Sequence, residues 1–376
     1  MNDKPKEPYL LTPGPLTTSA SVKAAMLRDW GSRDGAFTAM DASVRIRLLD
    51  IVEAGDTHVC VPVQGSGTFA VEAAVGTLVP REGKILVLVN GGYGARIVKI
   101  CTAIGRPHVA YEVPEDQPHD PAELSRRLGA DPTITHVAAI HCETTSGILN
   151  PVEAIAEVTA GAGRALIIDA MSAFGALPLD LRAVRADAVV ASANKCLEGA
   201  PGVGFAIVRR GALEDAAGNA HSLSLDLHDQ WTVMERTGQW RFTPPTHLIA
   251  ALDQALNEHA EEGGAPGRLA RYRENCRILV EGLCRLGLET LLPDALQAPI
   301  IVTIHNPADP AFDFSRFYDT VAGRGFLIYP GKLTKLPTFR VGCIGRLGAP
   351  EMNAAVQAIE SALEELGVTR RGRTAG

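Results

Sequence analysis

The chain has 376 residues, of which 46% are hydrophobic and 21% are charged, and its formal net charge is −7. This size and composition are typical of a soluble globular protein with about two domains. The acidic balance argues against nucleic acid as the main partner, because no excess of lysine and arginine is available to neutralise phosphates.

The predicted elements begin with an extended arm over residues 1–16, where several prolines prevent a helix. Helical patterns follow over residues 17–55, and short apolar strands then alternate with longer helices. We predict strands over residues 57–63, 85–89, 136–141, 165–169, 188–191 and 203–208, and helices over residues 70–78, 95–103 and 152–160. This alternation indicates a mostly parallel sheet with helices on both of its faces.

The pattern changes after about residue 245. In order, the sequence predicts two long helices, a strand, a helix, a strand and a last helix, over residues 247–262, 267–287, 299–304, 314–322, 338–341 and 350–366. This succession favours a smaller α+β domain at the C-terminal end. We therefore divide the chain into an N-terminal arm, a large domain and a small domain, over residues 1–16, 17–264 and 265–376.

Cysteine usage and the N-terminal residues indicate the compartment. The seven cysteines include no CxxC pair and no metal-ligand spacing, so we predict no disulfide framework, no metal site and a reducing cytoplasm. The polar N-terminus has no hydrophobic segment, and no apolar run approaches the length that spans a bilayer. We therefore expect a cytoplasmic protein without membrane contact.

The most informative residues are Lys195 and Asp169, which follow two apolar strands of the predicted sheet. A pyridoxal phosphate enzyme needs such a pair, because the lysine holds the aldehyde as a Schiff base and the acid pairs with the pyridine nitrogen. Each residue alone has a simpler explanation, since acids after strands often cap helices and loop lysines are usually solvated. A lysine between two buried strands is costly to desolvate, however, so the pair favours a function.

Other strand ends carry polar or glycine-rich sequence. Residues 64–68, Gln-Gly-Ser-Gly-Thr, join a strand to a helix, and backbone N–H groups with the Ser66 and Thr68 hydroxyls suit a phosphate there. Tyr93 begins the next helix between glycines, where it covers a planar cofactor or simply fills a gap between helix and sheet. Thr144 follows a further strand. Ligands bind at the carboxyl ends of strands in open α/β sheets, so this convergence predicts a binding site.

Arg340 lies in an apolar C-terminal strand. A guanidinium in that position suits bidentate binding of a carboxylate or a phosphonate. The alternative is an arginine on an edge strand with its charge in water.

With these motifs the chain resembles the 2-aminoethylphosphonate–pyruvate transaminases, fold-type I pyridoxal phosphate enzymes in the class V branch that includes alanine–glyoxylate aminotransferase. The branch is indicated by Leu-Thr-Pro-Gly-Pro at residues 11–15 and Glu-Thr-Thr-Ser-Gly at residues 143–147. The particular family is indicated by aromatic-rich strings at residues 29–34, 228–231 and 239–247. The resemblance implies a large domain with a mostly parallel seven-stranded sheet and a smaller C-terminal α+β domain.

The resemblance also implies a role for each candidate residue. Lys195 would bind pyridoxal 5'-phosphate covalently, and Asp169 would pair with the ring nitrogen. The other cofactor contacts would be Ser66, Gly67, Thr68 and Asn194 at the phosphate, Tyr93 on the ring, and Thr144 at the ring hydroxyl or the substrate. Thr243 would reach the phosphate of the neighbouring chain, in a homodimer with shared active sites. Arg340 would bind the acidic end of the substrate.

We add Arg33 as a second candidate cation, because a phosphonate carries more charge than one arginine neutralises. The implied reaction is transamination of 2-aminoethylphosphonate with pyruvate, giving phosphonoacetaldehyde and L-alanine, so the expected partners are a small amino donor and a 2-oxo acid. An alanine– or serine–glyoxylate aminotransferase, or a serine–pyruvate one, would share every cofactor residue and differ in the donor. A non-catalytic ligand-binding protein on the same fold is the alternative from another class, although both Asp169 and Lys195 are retained.

Overall fold

A seven-stranded sheet organises the structure, a computed structural model that describes residues 7–331 and 336–372. The strands of these residues are β1 (Tyr9–Leu10), β2 (His58–Gln64), β3 (Lys84–Val89), β4 (His108–Glu112), β5 (Ile134–Ile140), β6 (Cys142–Glu143), β7 (Ile148–Leu149), β8 (Ala165–Asp169), β9 (Ala188–Ser192), β10 (Val203–Arg209), β11 (Ile301–His305), β12 (Phe326–Leu327), β13 (Tyr329–Pro330) and β14 (Thr338–Gly342). The helices are α1 (Ala20–Ala25), α2 (Gly35–Ile51), α3 (Gly67–Leu78), α4 (Gly92–Ala103), α5 (Pro121–Ala130), α6 (Val152–Gly161), α7 (Arg210–Glu214), α8 (Leu227–Thr237), α9 (Thr246–Glu261), α10 (Gly264–Arg285), α11 (Phe314–Gly323) and α12 (Ala349–Glu365).

The strands of the large sheet lie in the order β2-β10-β9-β8-β5-β3-β4, and β10 runs antiparallel to both of its neighbours. The remaining pairs are parallel. The predicted mostly parallel, seven-stranded sheet is therefore confirmed. Its central strands are continuous apolar runs because both faces of a parallel sheet are covered. In β8, for example, Leu166 and Ile168 enter one core while Ile167 enters the other.

Helices cover the two faces of this sheet. Residues of α3 and α4 form the core on one face, and residues of α2, α5 and α6 contribute to the core on the other. The starts of α3 and α4 therefore lie close to the ends of β2 and β3, at the carboxyl edge of the sheet. Within the described ranges, no helix combines the length and hydropathy needed to cross a bilayer.

The observed elements differ from the predicted ones in two instructive ways. α3 and α4 begin at Gly67 and Gly92, three residues before the predicted starts, because their glycine-rich turns already belong to the helices. The sequence reading also missed β4, α5 and α8. β4 is an edge strand that is mostly half-exposed, so its residues lack the continuous apolar character of the central strands.

The C-terminal part of the chain has its own core. β11, β14 and β13 form an antiparallel sheet, and the buried faces of α10, α11 and α12 pack against it. The N-terminal arm joins this part, since β1 pairs with β12 in parallel. Residues 1–6 of the predicted arm, and residues 332–335 and 373–376 of the predicted small domain, lie outside the described residues. The boundaries after residues 16 and 264 stay a prediction.

Two helical glycines give opposite predictions for stability. A β-carbon on buried Gly282 of α10 would lie 2.6 Å from a methyl group of Val356 in α12, whereas nothing lies within 4 Å of one on exposed Gly129 of α5. We expect Gly282→Ala to lower the free energy of unfolding by about 1–3 kcal/mol through overpacking. Gly129→Ala should raise it by about 0.5–1 kcal/mol, because alanine loses less backbone entropy in a helix. Urea unfolding followed by circular dichroism measures both, and equal effects would contradict the assigned α10–α12 packing.

Candidate active site

A cavity of about 290 Å³ lies at the carboxyl edge of the large sheet, where β8 and β9 end side by side. It brings together most of the predicted site residues, namely Ser66, Gly67, Thr68, Tyr93, Asp169, Asn194 and Lys195. Gly14 of the N-terminal arm and Arg96 of α4 also line it, and neither was assigned a role from the sequence. The size is close to the lower end of the range for small-molecule sites.

Lys195 follows β9 and reaches the cavity under the N-terminal arm. Its Nζ donates a hydrogen bond to the carbonyl oxygen of Pro13 at 2.8 Å. Gly14 has a φ of 127°, and a β-carbon there would lie 2.7 Å from Cδ of Lys195, so only glycine allows this close approach. Burial lowers the pKa of Lys195 to about 8. The amine therefore loses its proton close to neutral pH, which makes it a better nucleophile and base.

Asp169 ends β8 and is 6% exposed. Its Oδ1 accepts a hydrogen bond from the backbone N–H of Met171 at 2.9 Å. Burial raises the pKa of this carboxyl to about 6, and nearby Glu143 adds to the shift while Lys195 opposes it. A carboxyl in this state readily pairs with a cationic ring nitrogen, because such a partner restores the charge that burial disfavours.

The start of α3 offers an anion-binding site. Ser66 is the N-cap residue, and its side chain makes no capping hydrogen bond, so it is available to a ligand. The first N–H groups of any helix lack intrahelical partners and lie at the positive end of its dipole. Thr68 Oγ1 accepts a hydrogen bond from Nη1 of Arg96 at 3.2 Å, which places a positive charge beside the same helix start. The residues predicted to bind a phosphate thus have the Arg96 guanidinium next to them.

The backbone of Tyr93 is held in place by a buried acid. The carboxylate of Glu143, fully buried after β5, accepts hydrogen bonds from the backbone N–H groups of Tyr93 at 3.1 Å and Gly94 at 3.2 Å, and from the Thr145 hydroxyl at 2.6 Å. A negative charge at the start of α4 is favourable to that helix. Burial raises the pKa of Glu143. The Arg96 guanidinium lies 4.7 Å from the centroid of the Tyr93 ring.

Arg340 and Thr144 contact each other but do not line the cavity. Nη1 of Arg340 donates to the Thr144 carbonyl oxygen at 2.8 Å, and Nη2 donates to the Pro330 carbonyl oxygen at 3.3 Å. Nε of Arg340 is buried and has no hydrogen-bond partner among residues 7–331 and 336–372. Burial lowers the pKa of the guanidinium and nearby Glu143 opposes that shift, while the hydrogen-bond partners of Arg340 in the described residues are neutral carbonyls. An anion is therefore the partner that this arginine lacks.

Arg33 and Thr243 lie apart from the cavity of their own chain. Both are exposed, and they line a separate cavity of about 300 Å³ together with residues 239–244. Thr243 is predicted to contact the cofactor phosphate of the neighbouring chain and Arg33 to bind the substrate, and a single chain tests neither assignment. Their predicted roles stay predictions.

The Lys195 cavity has the chemistry that pyridoxal phosphate requires. Its amine can bind an aldehyde, its buried carboxyl can pair with a ring nitrogen, and a helix start with an adjacent guanidinium can hold a phosphate. Sequence reasoning missed Arg96 and Glu143, although both stand in motifs that it singled out. The signal for Arg96 is its spacing, one helical turn after Tyr93, and the signal for Glu143 is an acid that follows closely on the apolar run of β5.

The raised pKa of Asp169 predicts that the free energy of unfolding of the cofactor-free protein falls as the pH rises. An acid whose pKa rises from 3.8 to about 6 on folding disfavours the folded state increasingly as the pH passes through that window. We expect Asp169→Asn to be more stable than the wild type by about 1–3 kcal/mol above pH 6, and the difference to vanish towards pH 4. Urea unfolding across this range measures it, with exposed Asp56→Asn as the control. A constant difference at every pH would contradict the assigned burial effect.

Comparisons with known proteins show the family of this chain. The aminotransferase class-V family model matches residues 18–309. The chain is 58% identical over 362 residues to the 2-aminoethylphosphonate–pyruvate transaminase of Pseudomonas fluorescens, covering 96% of this chain and 98% of that protein. It is 56% identical over 368 residues to the enzyme of the same name from Pseudomonas aeruginosa, covering 98% and 99%.

Solved structures share the fold. Pyridoxamine–pyruvate aminotransferase from Mesorhizobium loti superposes with a TM-score of 0.88 at 26% identity, over 97% of this chain and 95% of that one. Alanine–glyoxylate aminotransferase from Nostoc sp. gives a TM-score of 0.89 at 24% identity, over 96% and 97%. The chain therefore belongs to the aminotransferase class-V family and is a pyridoxal phosphate-dependent aminotransferase.

Proposed function

We propose that this protein transfers the amino group of 2-aminoethylphosphonate to pyruvate, giving phosphonoacetaldehyde and L-alanine in phosphonate catabolism. The observation that carries the proposal is the 58% identity, over 96% of the chain, to a curated transaminase of that name. The chemistry of the cavity agrees with it, since Lys195 and Asp169 face one space at the end of two adjacent strands.

The cofactor would be held by groups of different chemistry. Ser66, Gly67, Thr68 and Asn194 would hold its phosphate, and Arg96 would add a positive charge there. Asp169 would bind the ring nitrogen, Tyr93 would cover the ring, and Thr144 would contact the ring hydroxyl or the substrate. When bound, pyridoxal phosphate supplies an aldehyde that binds amines and a ring that draws electrons from the adjacent C–H bond.

Lys195 would move the proton in this reaction. Its pKa of about 8 gives an appreciable fraction of free amine at neutral pH, as a general base requires. The Asp169 carboxylate would keep a proton on the ring nitrogen, because ionisation of the acid is favoured once a cation lies against it. The Pro13 carbonyl orients the lysine amine by accepting its hydrogen bond, and Gly14 packs against the lysine side chain.

Arg340 would bind the acidic end of each substrate, a phosphonate in the donor and a carboxylate in the 2-oxo acid. It is buried, it donates to two carbonyl oxygens, and its Nε has no partner in the part of the chain that the structure describes, so an anion would satisfy both its charge and its geometry. Arg33 would add a second positive charge for the phosphonate.

We also propose a cytoplasmic homodimer in which Thr243 reaches the cofactor phosphate of the neighbouring chain. Support comes from the position of Thr243, which is exposed. Besides the cavity that it shares with Arg33, Thr243 lines another cavity together with Phe69 and Phe242. Both phenylalanines are 50% exposed. Large exposed aromatic side chains are typical of surfaces that another protein covers.

A donor screen tests the reaction. With pyruvate as the acceptor, we expect alanine to form fastest from 2-aminoethylphosphonate, and Lys195→Ala to abolish turnover because the amine that moves the proton is lost. Chromatography measures the alanine that forms from 2-aminoethylphosphonate and pyruvate. The same method measures the turnover of serine and alanine with glyoxylate, which distinguishes the related aminotransferases. Faster turnover of serine or alanine with glyoxylate would contradict the proposed donor, and no turnover with any donor would contradict catalysis.

Substitution of two arginines tests substrate binding. We expect Arg340→Lys to raise the KM for 2-aminoethylphosphonate about 10- to 100-fold, since lysine keeps the charge but loses the bidentate geometry. Arg33→Ala should raise the KM for the phosphonate more than the KM for pyruvate. The matched control is Arg106→Lys, another buried arginine that donates to backbone carbonyls, those of Gly76 and Asn219. If Arg340→Lys and Arg106→Lys gave the same steady-state constants, Arg340 would not bind substrate.

A further inference from the structure

The turn that carries Lys195 contains a residue in an unusual backbone conformation. Glu198 has a φ of 60°, and it is one of two non-glycine residues with positive φ in the described part of the chain. The other, Glu53, has a φ of 52° and lies at an exposed position. Left-handed backbone is unfavourable for a glutamate, so it persists only where the surroundings hold it. The N–H of Glu198 donates to the Lys195 carbonyl oxygen at 2.8 Å and closes the turn.

The side chain of Glu198 is held by α10, which is distant in sequence. Its Oε1 accepts hydrogen bonds from the Tyr272 hydroxyl at 2.6 Å and from Nη2 of Arg271 at 2.8 Å. Arg268 lies 3.6 Å from the same oxygen. Glu262, just before α10, accepts from both Arg268 and Arg271. We call these five residues the Glu198 cluster.

The Glu198 cluster is buried and electrically balanced. Glu198 is 2% exposed, and Arg268 and Tyr272 are fully buried. Two carboxylates face two guanidiniums, so no net charge is left in the cluster. Removal of one charged member from such a group leaves a buried charge without compensation.

The Glu198 cluster touches both halves of the proposed active site. Nη1 of Arg268 donates to the carbonyl oxygen of Cys196, the residue that follows Lys195. Nη1 of Arg271 donates to the carbonyl oxygens of Gly345 and Leu347, in the segment that follows β14. β14 carries Arg340. One group of side chains therefore holds the backbone beside the lysine and the backbone beyond the arginine.

We propose that Glu198 is a positioning residue, which fixes the Lys195 turn against α10 and thereby sets the lysine amine relative to the substrate-binding Arg340. The inference rests on the proposed roles of Lys195 and Arg340. Glu198 does not line the cavity, so it acts through the backbone of the turn. Displacement of a reacting group by about 1 Å is enough to lower a rate about a hundredfold.

Three variants of the holoenzyme test this role. Glu198→Ala removes every side-chain contact, and we expect kcat to fall about 10- to 100-fold with a smaller change in KM. Glu198→Gln keeps an oxygen that accepts from Tyr272 and Arg271, so it should restore most of kcat. It also leaves the cluster with one excess positive charge, so the absorbance titration of the cofactor bound at Lys195 should shift to lower pH. Tyr272→Phe removes one hydrogen bond and should lower kcat less than Glu198→Ala does.

Glu53→Ala is the matched control, because it changes the other glutamate with positive φ and leaves the active site untouched. Its kcat, KM and titration midpoint should equal those of the wild type. Wild-type kinetic constants and midpoint in Glu198→Ala, with only a lower unfolding temperature, would overturn the proposal. If Glu198→Ala does not fold, an unshifted midpoint in Glu198→Gln together with unchanged kcat in Tyr272→Phe overturns it. If the wild-type enzyme did not turn over 2-aminoethylphosphonate in the donor screen, that result would contradict the proposed function instead. The absorbance titration would still be interpretable in that case.

Discussion

The burial of two opposite charges at one edge of the sheet is the constraint on which the rest of the structure depends. Lys195 and Asp169 end neighbouring strands, and burial lowers the pKa of the lysine to about 8 and raises that of the aspartate to about 6. Each group is shifted towards its uncharged form, so the cavity opposes the ionisation of both. A ligand with a cationic nitrogen at one end and a carbonyl at the other relieves both costs. The pair is therefore better explained by a bound cofactor than by structural stability.

Segments that are far apart in the chain hold this site. The arm covers Lys195 through Pro13 and Gly14, and Glu143 fixes the start of α4 below the cavity. α10 anchors the turn that follows the lysine, through Arg268. Each contact satisfies a buried polar group, and each constrains the position of a reacting or ring-covering group at the same time. Rigid support of this kind is what precise placement of a catalytic amine requires.

The sequence predicted the strands that carry the site better than the long-range side-chain contacts that support it. β8 has the predicted bounds, because central parallel strands are continuous apolar runs that end in a polar residue. Lys195 and Asp169 were predictable because each is chemically out of place after such a run. Arg96 and Glu143 left only weak local signals, and the contacts of Arg96, Glu143 and Glu198 were not predictable, because the partners lie 28, 50 and 74 positions away in the chain. Such contacts depend on how helices and strands pack, which no local pattern specifies.

Under the proposed roles, substrate binding and proton transfer belong to different sheets. Arg340 lies on β14 of the C-terminal sheet, and Lys195 follows β9 of the large one. Several connections join the two sheets, among them the Arg340–Thr144 hydrogen bond, the Glu198 cluster and the arm, where the N–H of Gly342 donates to the Leu11 carbonyl oxygen. Several connections constrain the distance between arginine and lysine more than one does, so the same distance would serve both the phosphonate donor and the carboxylate acceptor. Selection between the two anions would then come from groups near the guanidinium rather than from a rearrangement of the sheets.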